Sequence, residues 1–133
     1  MGSRWTAAVT GLVEIAPERR WGFDLAGSLT ARDGYPLPYY HSVVASDGVL
    51  RDVQVTSAVD DFRLDDLYLL DLRLQKEVSF EELVLTFSAD VFNVFNEGTV
   101  LQRDLNLGGP RGNFLFETLS PRIWRFGFRF SWR

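Results

Sequence analysis

The sequence predicts an all-β protein, an antiparallel up-and-down meander of about five long strands. Polar and apolar residues alternate with a period of two in five segments, each of about ten to twelve residues, and helical periodicity is weak everywhere. Short turns and long polar stretches join these segments in strict alternation. We treat residues 1–133 as one part of such a sheet, without an internal domain boundary.

The first two predicted strands cover residues 5–16 and 21–32, with a short turn at residues 17–20 between them. The large apolar residues of the second strand all fall on one face: Trp21, Phe23, Leu25 and Leu29. A long polar stretch, residues 33–66, comes next. It contains the turn signals Asp33-Gly34, Tyr35-Pro36 and Asp47-Gly48. We expect one short strand within it, at residues 49–56.

The third and fourth predicted strands cover residues 67–76 and 83–92, and a short acidic turn at residues 77–82 joins them. The third strand sets Leu70, Leu72 and Leu74 against Asp71, Arg73 and Gln75. The fourth sets Leu83, Leu85, Phe87, Ala89 and Val91 against Val84, Thr86, Ser88 and Asp90. A second long polar stretch, residues 93–120, precedes the last strand.

The last strand, from Ile123 to Trp132, has the most distinctive pattern in the chain. Its aromatic face carries Trp124, Phe126, Phe128, Phe130 and Trp132, and its other face carries Arg125, Gly127, Arg129 and Ser131. A strand in a soluble core usually mixes Val, Ile or Leu into its apolar face. An unbroken aromatic face backed by arginines is typical of a strand between lipid and water.

The distribution of charge also favours a membrane-spanning sheet. These charged residues are expected on the face opposite the apolar one: Glu14, Asp24, Arg32, Asp71, Arg73, Asp90, Arg125 and Arg129. An arginine or lysine on the lipid side near the midplane would cost roughly 2–4 kcal/mol. On the polar side, opposite charges on neighbouring strands can pair. Strand length and the short–long rhythm of connections are also those of outer-membrane barrels.

Composition excludes several classes of function. A net charge of −4 argues against a nucleic-acid binder, and the absence of cysteine excludes a disulfide framework and a thiolate metal site. No run of 18 apolar residues is present, so a transmembrane helix is not expected. Residues 1–5 lead directly into the first strand without a signal peptide, so we expect any export signal to lie outside this sequence.

The long polar stretches hold the candidate binding residues. Tyr35, Tyr39, Tyr40 and Phe62 can stack on a ligand or form an interfacial aromatic girdle. Asp60, Asp61, Asp65 and Asp66 can hold Ca²⁺ or form a solvated loop base, and the second is the simpler reading.

Other polar residues give no sign of catalysis or of a bound cofactor. His41, the only histidine, is expected at the surface, and Asn93 and Asn96 are expected to fix a turn. Residues 108–112 lack the lysine of a phosphate-binding loop. We find no catalytic constellation, so we expect no enzyme, no cofactor and no metal site.

The end of the chain looks like the outer-membrane assembly signal, in which a polar residue, a glycine and two aromatics follow one another at fixed spacing. The matching residues are Arg125, Gly127, Phe130 and Trp132, and Arg133 follows them. Such a signal presents the edge of the last strand to the barrel-assembly machinery, where it pairs by strand addition.

Longer motifs resemble the C-terminal barrel of TonB-dependent outer-membrane receptors, in particular the subgroup with a carboxypeptidase-regulatory-like extension. They are Arg32-Asp33-Gly34-Tyr35-Pro36, Asp71-Leu72-Arg73, Asp90-Val91-Phe92-Asn93-Val94-Phe95-Asn96, Thr99-Val100-Leu101-Gln102-Arg103 and Leu119-Ser120-Pro121-Arg122-Ile123. The resemblance runs from about Trp5 to the C-terminus. It covers only a fraction of such a receptor, without the plug domain and most of the strands.

This resemblance implies a sector of a transmembrane β-barrel of about 22 strands, located in the bacterial outer membrane. The implied partners are outer-membrane lipid, the barrel-assembly machinery, the TonB energy-coupling system through the missing plug, and an unidentified scarce nutrient. The alternative is a small soluble β-sheet protein that binds a lipophilic ligand or a protein partner. Five strands are too few to close a barrel of normal interior, which needs about eight.

Overall fold

The computed structural model describes residues 3–132, and within that range the chain is all-β, without a helix. The strands described are β1 (Thr6–Ile15), β2 (Phe23–Arg32), β3 (Tyr40–Val44), β4 (Leu50–Gln54), β5 (Leu67–Phe80), β6 (Leu83–Phe92), β7 (Val100–Arg103), β8 (Leu115–Thr118) and β9 (Ile123–Trp132). No helix in the described range is long and apolar enough to span a membrane.

The chain divides into two compact units, and each is described by itself. The sheet unit comprises Ala7–Ala31, Tyr68–Glu97 and residues 120–132. The loop unit comprises residues 3–6, Arg32–Leu67 and Gly98–Leu119, which include most of the two long polar stretches.

The sheet unit confirms the expected meander of five long strands. They form one sheet in the order β1-β2-β5-β6-β9, which is their order along the chain. The β5–β6 and β6–β9 pairs are antiparallel. The prediction of a turn at residues 77–82 was wrong in its extent, because β5 continues to Phe80. Glu77 keeps the alternation and lies opposite Thr86, so its charge belongs to the polar face and does not end the strand.

The register of the last three strands confirms the predicted separation of the two faces. Residues directly opposite each other share a face. The apolar set pairs as Leu72–Val91–Trp124, Leu74–Ala89–Phe126, Val78–Leu85–Phe130 and Phe80–Leu83–Trp132. The polar set pairs as Arg73–Asp90–Arg125, Gln75–Ser88–Gly127 and Glu77–Thr86–Arg129.

Lys76 is the exception to the expectation that every strand charge lies on the polar face. It lies opposite Phe87 and therefore belongs to the apolar face. Its amine bends back to donate hydrogen bonds to the backbone carbonyls of Arg20 and Gly22 in the β1–β2 turn. A long side chain can carry its charge away from apolar surroundings in this way.

Burial in the sheet unit runs opposite to that of a soluble sheet. The most buried side chains are polar, with Asp90 4% exposed and Asn93 2% exposed, whereas every residue of β9 is exposed. Ala31 is the only buried apolar residue of this unit in the described range, and the loop unit adds Leu37 and Leu67. Among the described residues of this unit, large apolar side chains therefore remain exposed and do not form a core.

The loop unit contains two short hairpins, β3–β4 and β7–β8. The expected strand at residues 49–56 is confirmed as β4, and its turn contains Gly48 with φ of +79°, a conformation that glycine tolerates best. The turn signals at Asp33-Gly34 and Tyr35-Pro36 were wrong, because residues 33–36 form no turn and Pro36 pairs with Arg63 in an antiparallel bridge. Gly34 is instead packed so closely against the Leu64 carbonyl that an added Cβ would approach within 3.0 Å.

Candidate functional site

The candidate site lies on β9 and its neighbours β5 and β6, because the residues of the expected assembly signal fall there. The Asp90 carboxylate of β6 bridges the strands on its two sides, β5 and β9. Its Oδ1 accepts from Arg73 Nε at 2.7 Å, and its Oδ2 accepts from Arg125 Nη2 at 2.8 Å and Nε at 2.9 Å. Arg125 also lies over the Phe92 ring, with its guanidinium carbon 5.1 Å from the ring centroid. Arg125, the polar residue of the signal, thus holds β9 onto β6.

Gly127, the glycine of the signal, lies directly opposite Ser88. An added Cβ at Gly127 would come within 3.0 Å of Ser88 Oγ, closer than real Cβ atoms approach. The hydroxyl of Ser88 therefore occupies the space that a side chain on β9 would need. Sequence reasoning placed Gly127 in a motif but did not find Ser88, because that contact depends on the register.

The two aromatics of the signal lie on the apolar face, at the end of β9. Phe130 is opposite Leu85, and Trp132 is opposite Leu83. Both are strongly exposed, Trp132 at 71%. Their neighbour Phe128 packs on Phe87 with ring centroids 5.2 Å apart. Arg133 lies outside the described residues.

The Asp90-to-Asn96 segment ends β6 with a hydrogen-bonded turn, as expected for Asn93 and Asn96. Asn93 has φ of +52°; its backbone N–H donates to Asp71 Oδ1, and its Nδ2 donates to the carbonyls of Glu97 and Ser120. Asn96 accepts from the Arg122 N–H at 2.9 Å, just before β9 begins. One short motif therefore connects β5, β6 and the entry to β9.

The structure brings together only some of the four aromatic residues predicted for ligand contact in the loop unit. Tyr39 and Phe62 pack edge to face at 5.9 Å, and the Tyr39 hydroxyl donates to Asn113. Tyr35 instead receives a hydrogen bond from Arg32 Nη1 at 2.8 Å. Tyr40 lies in β3, where its backbone bonds to Leu105 and Leu107. These contacts do not form one shared cage.

The four aspartates considered for calcium make separate contacts. Asp60 pairs with Arg4 at 3.0 Å and with Arg63 at 2.5 Å, and Arg63 continues to Asp33 at 2.9 Å. The hydrogen bond from Arg4 lowers the pKa of Asp60 below its usual value.

Asp61 accepts from the backbone of Ala58 and from Ser57, and these bonds lower its pKa in the same direction. Asp66 accepts from the Gly34 N–H, and Asp65 is exposed. No group of three metal-binding side chains occurs in the described range. Asp60, Asp61 and Asp66 are thus engaged by other groups of the loop unit.

His41 is exposed in β3, as expected, and lies opposite Val53. Comparison of the chain with family models, with curated proteins and with solved structures found no match. The assignment of a function therefore depends on the residues and geometry described above.

Proposed function

We propose that the chain is a wall sector of a TonB-dependent receptor in the bacterial outer membrane, with its aromatic face toward lipid and its charged face toward the lumen. The observation that carries this proposal is the inverted burial of the sheet unit. Asp90 and Asn93 are its most buried side chains, while Trp124, Phe126 and Phe128 are more than half exposed. An isolated sheet with this pattern has no core to stabilise it in water.

The dimensions of β9 support a membrane-spanning role. Trp124 and Trp132 are separated by eight residues, or about 27 Å at roughly 3.4 Å per residue. At the usual strand tilt of about 35–45° this length spans roughly 20 Å of depth, most of the apolar band of about 25 Å in outer-membrane barrels, whose rims carry aromatic girdles. The two tryptophans would mark the rims, and Phe128 would lie near the midplane.

The number of strands also agrees with a sector of a larger barrel. The sheet has five strands and two open edges, β1 and β9. In an antiparallel meander of five, the two edge strands run in the same direction. Copies of the chain in the same orientation, joined from β9 of one to β1 of the next, would therefore meet in parallel and break the pattern. Closure into an antiparallel barrel needs an odd number of further strands, which would be 17 in a barrel of about 22.

In the intact receptor, this sector would contribute barrel wall, two loop regions and the assembly signal. The receptor would take up a scarce nutrient, driven by the TonB system through a plug domain. Tyr39 and Phe62 are the loop aromatics best placed to contact a ligand together, since they already pack on each other. The resemblance of the quoted motifs supports this part of the proposal, which includes the barrel-assembly machinery as a partner.

The function is tested through the assembly signal. Replacing Phe130 and Trp132 with serine in the receptor that contains this chain should deplete folded receptor from the outer membrane. Trp124 and Phe126 provide the matched control pair, because they lie on the same strand and face but outside the signal. Insertion is measured by the heat-modifiable electrophoretic mobility of the receptor in membrane fractions. Ligand binding per folded receptor measures whether the inserted molecules still recognise their ligand.

Normal insertion of the Phe130/Trp132 variant, or equal depletion by the control pair, would contradict the assigned signal. The soluble alternative makes a different prediction for the 133-residue chain. It would then purify without detergent as a monodisperse monomer with a cooperative melt. The proposed receptor sector should instead aggregate in buffer and require detergent.

A further inference from the structure

The apolar face of β9 cannot by itself determine how this strand pairs with β6. All five positions on the apolar face of β9 are aromatic, from Trp124 to Trp132. A slip of the register by one residue would move the aromatic side chains to the polar face of the sheet. A slip by two residues would leave all of them on the apolar face. The information that selects one register must therefore lie on the polar face.

The polar face has specific complementarity in the observed register only. There Arg125 is opposite Asp90, Gly127 is opposite Ser88, and Arg129 is opposite Thr86. A slip of two residues in one direction would set Arg125 against Ser88 and Ile123 against Asp90. A slip in the other direction would set Arg129 against Ser88 and Gly127 against Asp90. Asp90 would have no arginine directly opposite it on β9 in either slipped register.

The second element of this complementarity is steric. Ser88 Oγ fills the space beside Gly127, where an added Cβ would approach within 3.0 Å. Either slipped register would place an arginine opposite Ser88, and Ser88 would have to leave its present rotamer to make room. The position opposite Ser88 therefore accepts a residue without a side chain, and Gly127 occupies that position in the observed register.

We propose that Ser88 and Gly127 form a steric lock that sets the register of the final strand, beside the Asp90–Arg125 ion pair. Ser88 lies on β6, outside the assembly signal. It would position β9 because its hydroxyl fills the space beside Gly127. This inference concerns strand pairing and does not depend on the assignment of the chain to a receptor. The glycine of the signal gains a physical role, that of accepting the Ser88 side chain.

The experiment uses disulfide trapping, for which the absence of cysteine in the chain gives a clean background. Three cysteine pairs are introduced separately into the 133-residue chain folded in detergent micelles. Thr86→Cys with Arg129→Cys reports the observed register. Val84→Cys with Arg129→Cys reports one slip, and Thr86→Cys with Ser131→Cys reports the other. Directly opposed residues are within the Cα separation that a disulfide requires.

Each pair is then combined with Gly127→Ala, and with Gly127→Ala together with Ser88→Gly. The lock predicts that Gly127→Ala lowers the ratio of observed-register to slipped disulfide by about fivefold or more, as over-packing penalties do. Adding Ser88→Gly should restore the yield of the observed-register disulfide, because it removes the hydroxyl that the new Cβ on β9 would meet. The ratio itself should stay low, since the same substitution also relieves the two slipped registers. The same restoration is expected if Gly127→Ala abolishes the observed-register disulfide by preventing folding.

Three outcomes would overturn the proposal. The first is an unchanged disulfide ratio in Gly127→Ala, which would mean that Ser88 moves aside without consequence. The second is a loss of the observed-register disulfide in Gly127→Ala whose yield Ser88→Gly does not restore, which would assign the role to the glycine backbone. The third is failure of the Thr86/Arg129 pair to form a disulfide in the otherwise unaltered chain.

Discussion

The sheet unit and the loop unit differ in which side chains they bury. In the sheet unit, one buried carboxylate, Asp90, connects Arg73 on β5 with Arg125 on β9, and many large apolar side chains are exposed. In the loop unit, the ion pairs from Arg4 through Asp60 and Arg63 to Asp33 begin at the exposed surface, and Leu37 and Leu67 are buried. Under the proposed function, this difference would follow from lipid against the apolar face of the sheet.

The largest effect is expected from a charge on the apolar face. In the proposed orientation, Phe128→Arg should destabilise the chain in lipid bilayers by roughly 2–4 kcal/mol, because the new charge would lie near the midplane. Ser131→Arg is the matched control on the same strand, since Ser131 lies on the polar face. Chemical unfolding in vesicles measures both variants. Equal effects of the two substitutions would contradict the difference between the faces.

A smaller loss is expected when the ion pairs of the polar face are broken. Asp90→Ala would leave Arg73 and Arg125 without their shared partner, and we expect a loss of about 2–3 kcal/mol, reduced from the fully buried case because both arginines are about half exposed. Asp24→Ala is the control, a carboxylate of the same sheet without an ion pair in the described range. Unfolding in detergent should separate the two variants; a loss no larger than that of the control would refute the role of Asp90.

The turn after β6 should lose about 2 kcal/mol when Asn93 is replaced by alanine. Asn93→Ala removes the side-chain bonds to Glu97 and Ser120 and places alanine at a φ of +52°. Asn93→Gly tolerates that φ and loses only the side-chain bonds, so it should be the less harmful of the two. Equilibrium unfolding in micelles gives both values. If glycine were the more damaging substitution, the backbone would not contribute as described.

The smallest effect is expected in the loop unit and depends on pH. Because the pKa of Asp60 is lowered in the folded protein, its ion pairs are present above the usual carboxyl pKa of about 4 and are lost as the pH falls through the lower folded value. Amide hydrogen exchange around residues 58–63 should therefore increase only below about pH 4. Asp60→Asn should remove most of that pH dependence, and an unchanged profile in this variant would assign it to other carboxylates.

The long strands were predictable because alternation with a period of two is sustained over about ten residues in each. The short strands β3, β7 and β8 were not, since four or five residues carry too little pattern to separate strand from loop. The alternation of β5 places Lys76 on the apolar face, but the acidic residues that follow it suggested that the strand ends there. The Ser88–Gly127 and Asp90–Arg125 contacts needed the register, which alternation leaves undetermined by steps of two residues.

The orientation of the aromatic face toward lipid is tested most directly by tryptophan depth measurements along β9. The four tryptophans are replaced by phenylalanine, and single tryptophans are then placed at positions 124, 128 and 132, with Ser131→Trp as the control on the polar face. Quenching by lipids brominated near the bilayer centre should be strongest at position 128, weaker at 124 and 132, and weakest at 131. Equal quenching at 128 and 131, or none at any position, would contradict the proposed orientation.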